Sequence, residues 1–203
     1  MAYRLIIGSR EHISDDAASH FEPYGPELEI LTDAGTVPKE LIPYLPRKAV
    51  VTHGSYRIEI GIGATQFLTC VDKAKTLLQT IDPSIEYFPL EWIDLTTNKS
   101  EGRWLMRTPH HVRMINKALS KDALQVVPPT WMVANGKRIQ TLEYMRVAHF
   151  DRLVLDKSAI ANLHFWTGVL GEGLIGTWFC SQEFRDAMFP YRRSFEFQAI
   201  REA

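Results

Sequence analysis

Residues 65–90 read TQFLTCVDKAKTLLQTIDPSIEYFPL, and residues 176–200 read GTWFCSQEFRDAMFPYRRSFEFQAI. Each begins with a β-prone apolar run that ends at a cysteine, Cys70 or Cys180. A polar residue able to cap a helix follows, Asp72 in the first and Ser181 in the second. Apolar residues then recur at helical spacing: Ala74, Leu77, Leu78 and Ile81, then Phe184, Ala187 and Met188. Asp82-Pro83 and Pro190 stop the helices, because proline cannot continue the hydrogen-bond ladder. A second strand resumes with neighbouring aromatics, Tyr87 and Phe88 in one copy, Phe195 and Phe197 in the other. Both stretches predict strand, short helix, strand, so the chain carries a candidate internal duplication. Pro89 is expected to break the first of the resumed strands.

Outward from these units the pattern stays mixed. Tyr3–Ile7 predicts a strand. Residues 8–47 are rich in proline, glycine and acids and predict a loop-rich surface segment with short strands such as Leu28–Leu31. Val50–Thr52 and Tyr56–Ile62 predict strands around a turn at His53-Gly54-Ser55. Trp104–Met106 predicts a strand and His110–Lys121 a helix or turn. Met132–Val133 and Arg138–Thr141 flank Asn135-Gly136, a pairing suited to a type I′ hairpin. Arg152–Leu155 and Leu163–Thr167 are further strands, separated by the turn-forming Asp156-Lys157-Ser158. The glycine-rich run 168–176 reads as a bent connection. The expected fold is therefore α+β, with mixed or antiparallel sheets and a few short helices. The chain of 203 residues suits one domain, with candidate lobes at 1–125 and 126–203.

Composition narrows the function. Lysine and arginine number 23 against 24 acids, for a net charge of −1. A dedicated nucleic-acid binder draws its affinity from a strong basic excess, so no nucleic-acid partner is expected. Two distant cysteines make neither a disulfide framework nor a zinc cluster. The start, MAYRLIIGSREH, reads as neither an export signal nor a membrane helix, which predicts a cytoplasmic protein with no membrane partner. Charge is uneven along the chain. Residues 1–46 carry Glu11, Asp15, Asp16, Glu22, Glu27, Glu29, Asp33 and Glu40 against Arg4, Arg10 and Lys39. Residues 99–157 lean basic. Solvated faces of opposite sign are the plain reading, and a steering patch is the functional one.

No pattern demands catalysis or a cofactor. The histidines are scattered, and adjacent His110 and His111 diverge on any regular element. HExxH, CxxC, G-x-S-x-G and a P-loop are all missing from the sequence. His149 and Asp151 would share a face if they lay on a strand, a weak acid–base signal. Cys70 and Cys180 precede helices, a place where a thiolate can be stabilised, but Phe67-Leu68 and Trp178-Phe179 favour core thiols. No metal, cofactor or catalytic residue is expected. Of the tryptophans Trp92, Trp104, Trp131, Trp166 and Trp178, most should fill the core and one or two could be exposed anchors.

FDRLVLDKSAIANLHFWTGVL at 150–170 and GTWFCSQEFRDAMFP at 176–190 resemble the C-terminal half of a bacterial immunity-protein family. That family, typified by a Myxococcus protein, is associated with polymorphic-toxin and type VI secretion loci. FLTCVDKAKTLLQTIDPSIEYFPLEW at 67–92 resembles its earlier segment and WLMRTPHHVRMINKAL at 104–119 its middle, so the likeness covers about 65–190. Asn116 and Lys117 depart from it, standing where the family tends to carry an acid. The resemblance implies a non-enzymatic protein that binds and neutralises a cognate toxin. A second copy of the chain is a further candidate partner. The competing readings are a hydrolase-like enzyme using His149 and Asp151, or a secretion-system adaptor. If the toxin is basic, Glu11, Asp15 and Asp16 are candidate contact residues through charge complementarity. Reversing these three to lysine should then slow association at low salt in stopped-flow measurements; unchanged on-rates would remove this segment as the steering face.

Overall fold

The computed structural model describes residues 1–7, 19–22, 35–51, 60–62, 67–95, 97–134, 137–140, 143–169, 172, 174 and 177–203. In chain order its elements begin with β1 (Ala2–Ile7), β2 (Ser19–Glu22), β3 (Lys48–Val51), β4 (Ile60–Ile62), β5 (Leu68–Cys70), α1 (Asp72–Ile81), β6 (Glu86–Asp94) and β7 (Lys99–Arg107). There follow β8 (His111–Val112), β9 (Leu124–Val127), β10 (Trp131–Ala134), β11 (Lys137–Gln140), β12 (Tyr144–Val147), β13 (Val154–Leu155), β14 (Phe165–Gly168), β15 (Trp178–Ser181), α2 (Gln182–Met188) and β16 (Phe195–Glu202). The fold is α+β. One six-stranded sheet runs β13-β16-β1-β15-β14-β8 and the other β2-β3-β6-β7-β5-β4.

The two sheets repeat one plan. In the second, β7 lies antiparallel between β5 and β6, so the strands flanking α1 are parallel and never touch. In the first, β1 lies antiparallel between β15 and β16, which flank α2. Outward, β3 joins β6 in parallel as β13 joins β16, and β4 joins β5 antiparallel as β14 joins β15. The last strand of the second unit is thus supplied by the start of the chain.

The repetition reaches individual side chains. Cys70 stands opposite Trp104 on β7, and Cys180 opposite Tyr3 on β1. The Trp104 indole donates to Asp72 at 2.5 Å; the Tyr3 hydroxyl donates to Gln182 at 2.5 Å. Lys75 lies 3.3 Å from the Trp104 ring centre, and the Arg185 guanidinium 4.6 Å from that of Tyr3. In both units a helix start grips the aromatic ring of the middle strand and a cation one turn later covers it, a contact stronger when partly desolvated. Ala74 and Leu78 in α1, and Phe184 and Met188 in α2, are buried.

One apolar cluster gathers both helices and the facing sides of both sheets, including Leu5, Leu68, Met106, Phe165, Trp178 and Phe184. The Phe165 and Phe184 rings stack with centroids 4.9 Å apart. Each sheet has a second cluster on its other side. Val37, Leu45, Phe67, Leu90, Trp92 and Leu105 form that of the second sheet; Met114, Leu153, Ile160, Trp166, Leu174 and Phe179 belong to that of the first.

Several expectations change. Asp72 does not cap α1: Val71 is the N-cap and makes no side-chain bond, while the Asp72 carboxylate holds Trp104. Ser181 does cap α2, accepting from the Phe184 amide at 3.2 Å. Pro89 does not break β6. Glu91 and Leu95 donate their amides across to the β3 side, so by strand alternation the backbone of position 89 faces that side too. Pairing with β3 starts only at Glu91, so proline's missing N–H costs no ladder bond. Of the helix or turn expected over His110–Lys121 the structure has the turn, at 117–119 after β8 and a bridge at Ile115, and no α-helix. Leu28–Leu31, the turn at 53–55 and Asn135-Gly136 lie outside the described residues.

Gly168 is constrained by close approach: a Cβ there would fall 2.2 Å from Cβ of buried Leu174. Gly168→Ala should lower stability by about 2 kcal/mol in urea unfolding, the scale of overpacking in a filled core. An unchanged midpoint would show that the strand end shifts freely.

Candidate partner-binding surface

Between the two units the chain leaves both sheets. β9 pairs with β12 and β10 with β11, each a two-stranded antiparallel ladder. The pairs Leu124↔Val147, Val127↔Tyr144, Trp131↔Gln140 and Ala134↔Lys137 keep a single register, so the ladders form one hairpin arm. Pro128 and Pro129, which have no N–H to offer, interrupt it. At ~3.3 Å per residue the arm reaches roughly 30 Å from root to tip. Its root is fixed: Ala148 and His149 both donate to the Ala123 carbonyl, and Ala123 is fully buried.

Beyond the root the described side chains of the arm are exposed or half-buried. Val126 and Trp131 are each 58% exposed and Tyr144 49%. Tyr144 stands across from Val127, so it lies on the opposite face from Val126; both faces of the ladder meet solvent. Arg146 donates from Nε and Nη2 to the facing Gln125 at 3.0 and 2.8 Å, a cross-strand bond that stiffens the lower ladder. A two-stranded ribbon is marginal in water, and exposed aromatic residues on it serve contact more readily than folding. Trp92, Trp166 and Trp178 are buried and Trp104 is half-buried, leaving Trp131 as the exposed tryptophan among them.

Other polar groups form structural ties. Arg107, 1% exposed, donates to the Gly35 carbonyl at 2.6 Å, faces Glu86 at 3.6 Å and lies 3.1 Å from His111 Nε2. The Glu86 carboxylate also accepts the Val37 amide at 3.0 Å from each oxygen. Burial pulls the Arg107 pKa down, and Glu86 pushes it back up. Ser84 bonds the buried Asp82 carboxylate and lies 2.9 Å from His110 Nε2. In a nucleophilic triad the imidazole stands between serine and acid. Here the serine stands between, its proton directed at Asp82, so the chain orients the turn rather than activating Oγ. His110 and His111 thus diverge to different partners.

The sequence-predicted residues fall as follows. Glu11, Asp15 and Asp16 lie outside the described residues. His149 and Asp151 are exposed at a 3₁₀ turn instead of on a strand, and Asp151 pairs with its neighbour Arg152 at 3.9 Å. Both cysteines are buried free thiols. Burial pushes Cys70 up to about 12, and Cys180 is raised further by the same cause. Among the described residues no group of three or more histidines, cysteines or carboxylates converges, and no helix is long and apolar enough to cross a membrane. No protein-family model matches the chain, and no curated protein matches it.

The sequence signalled the outer hairpin through Asn135-Gly136 but not its isolation, which depends on where neighbouring elements lie. The buried thiols give a direct test. At pH 8 the native protein should react negligibly with a thiol reagent, while denaturant releases both cysteines. Because the folded Cys70 value lies above the ordinary 9.0, its contribution to stability is whole below pH 9 and is lost as pH rises toward 12. Rapid native labelling would contradict this burial.

Proposed function

We propose that this protein works by binding another protein, as a non-enzymatic immunity protein that neutralises a cognate bacterial toxin in the cytoplasm. The observation that carries the reading is the arm Leu124–Val147, which holds Val126, Trp131 and Tyr144 exposed on a ribbon that no other described strand covers. Rigid aromatic side chains presented this way lose little entropy on contact and fill partner pockets well. The rooted ribbon also fixes the direction in which they are offered. The inert thiols and the serine-centred Asp82–Ser84–His110 chain are consistent with a scaffold that holds a surface in place.

The resemblance of 67–92, 104–119 and 150–190 to immunity proteins of toxin loci supplies the class of partner. An adaptor of a secretion system would use the same surface, and the test separates the two. The chain is co-expressed with the product of the gene adjacent to its own, and both complex formation and rescue of growth from that product's toxicity are measured. The expected result is a purified complex and restored growth. Trp131→Ala should weaken the complex about tenfold, a loss of ~1.4 kcal/mol typical of a moderate anchor, while the variant alone keeps the wild-type circular dichroism spectrum. A complex without rescue points to an adaptor; no complex and no rescue sinks the proposal.

A further inference from the structure

The two units place matching contacts at matching spacing along the chain, with one exception. Cys70, Trp104 and Pro89 stand abreast on β5, β7 and β6, as Cys180, Tyr3 and Ala199 do on β15, β1 and β16. As many residues lie between Cys70 and Pro89 as between Cys180 and Ala199. Within that span Asp72, Ala74, Lys75 and Leu78 match Gln182, Phe184, Arg185 and Met188 without a gap. On one flank β3 meets β6 at Lys48↔Glu91 and β13 meets β16 at Val154↔Arg201, each two positions past the matched Pro89 or Ala199. On the other, Ile60 faces Cys70 as Phe165 faces Cys180. The series β3-β4-β5-α1-β6 and β13-β14-β15-α2-β16 therefore run in one order, and only the strand that should follow differs in place.

In the N-terminal unit β7 follows β6 across a short connection closed by Asp94↔Lys99. Its counterpart β1 comes at the front of the sequence instead. Even so, β1 starts where a hairpin from β16 would enter: Ala2 is opposite Ile200, and the Met1 ammonium lies 3.4 Å from Glu202. The displacement has an entropic consequence. Trp104 and Asp72, which grip each other in one unit, are 32 residues apart; Tyr3 and Gln182 in the other are 179 apart. Closure entropy grows with the logarithm of loop length, so the longer loop closes about tenfold less often. Until β1 enters, β15 and β16 have no strand between them, and Cys180 has no Tyr3 opposite.

We infer that the fold is a tandem pair of one unit in circularly permuted order, and that β1 is the strap that closes the C-terminal unit last. The N-terminal unit, whose strands β3 to β7 all lie within 48–107, forms first. Stepwise closure of this kind is ordinary for chains of this length. The inference concerns the chain by itself and does not rest on the toxin reading. The protein carries a reporter in each unit, since Cys70 and Cys180 are buried free thiols at matching positions. Cys70 shares its apolar cluster with Leu68, Ala74, Leu78 and Met106 of its own unit, whereas the strand facing Cys180 is the distant β1.

The test is refolding from denaturant, pulsed with an alkylating reagent at increasing delays, with each cysteine read by peptide mass spectrometry. In the wild type Cys70 should be protected about tenfold sooner than Cys180. A first permutant runs 8–203, a short Gly-Ser link, then 1–7. It brings Tyr3 about as near to Gln182 along the chain as Trp104 is to Asp72, so both thiols should be protected together. A second permutant runs 97–203, the same link, then 1–96. It moves the break to the matching place in the N-terminal unit, so the order should reverse, with Cys70 late. Both permutants should keep the wild-type circular dichroism spectrum. Simultaneous protection in the wild type, a lag at Cys180 that survives in the first permutant, an unreversed order in the second, or loss of the native spectrum by either would overturn the inference.

Discussion

In each half of this molecule the strands on either side of the helix are parallel and do not touch. A single antiparallel strand between them carries all the hydrogen bonds that join them. For β5 and β6 that strand is β7, close in sequence; for β15 and β16 it is β1, from the other end of the chain. The sheet of the C-terminal unit is therefore incomplete until β1 has entered it. Such a long-range pairing must be reached before its bonds repay the lost chain entropy. The grip of Gln182 and Arg185 on Tyr3, like that of Asp72 and Lys75 on Trp104, locks the middle strand to the helix that crosses over it.

With both middle strands in place, their apolar residues and the two helices close one shared cluster, and each sheet carries a further cluster on its other side. The few deeply buried polar groups then serve as ties. Arg107 and Glu86 hold the segment at 35–37 against β6 and β7, and Glu172 accepts the amides of Met114 and Ile115 at 3.0 and 3.4 Å. A buried charge is tolerable only with partners of this kind. These ties fix the chain on either side of the arm without contributing to it.

The arm and the open end of β7 are what the repeated plan leaves over. The arm occupies the link between the repeats, and the open end arises because β7 outruns β5. Both expose backbone edge, and the arm adds exposed aromatic surface, features that soluble proteins keep for contact or cover. The proposed protein–protein contact draws on the exposed side chains of the arm together with the resemblance carried by 67–92, 104–119 and 150–190.

The sequence by itself determined the α+β class, the two strand–helix–strand units, the Ser181 cap, the pairing of Met132–Val133 with the strand at Arg138 and the apolar setting of the cysteines. All follow from short-range chemistry: periodicity of two or 3.6, helix stops and turn residues. Tertiary structure decided that β1 completes the C-terminal unit, that Asp72 serves Trp104 instead of a helix cap, and that Pro89 sits harmlessly where no neighbour asks for its proton. It also decided that Trp131 is exposed while Trp166, equally apolar in its local sequence, is buried. Exposure and strand order depend on which distant surface comes to lie against a residue, and local spacing carries no record of that.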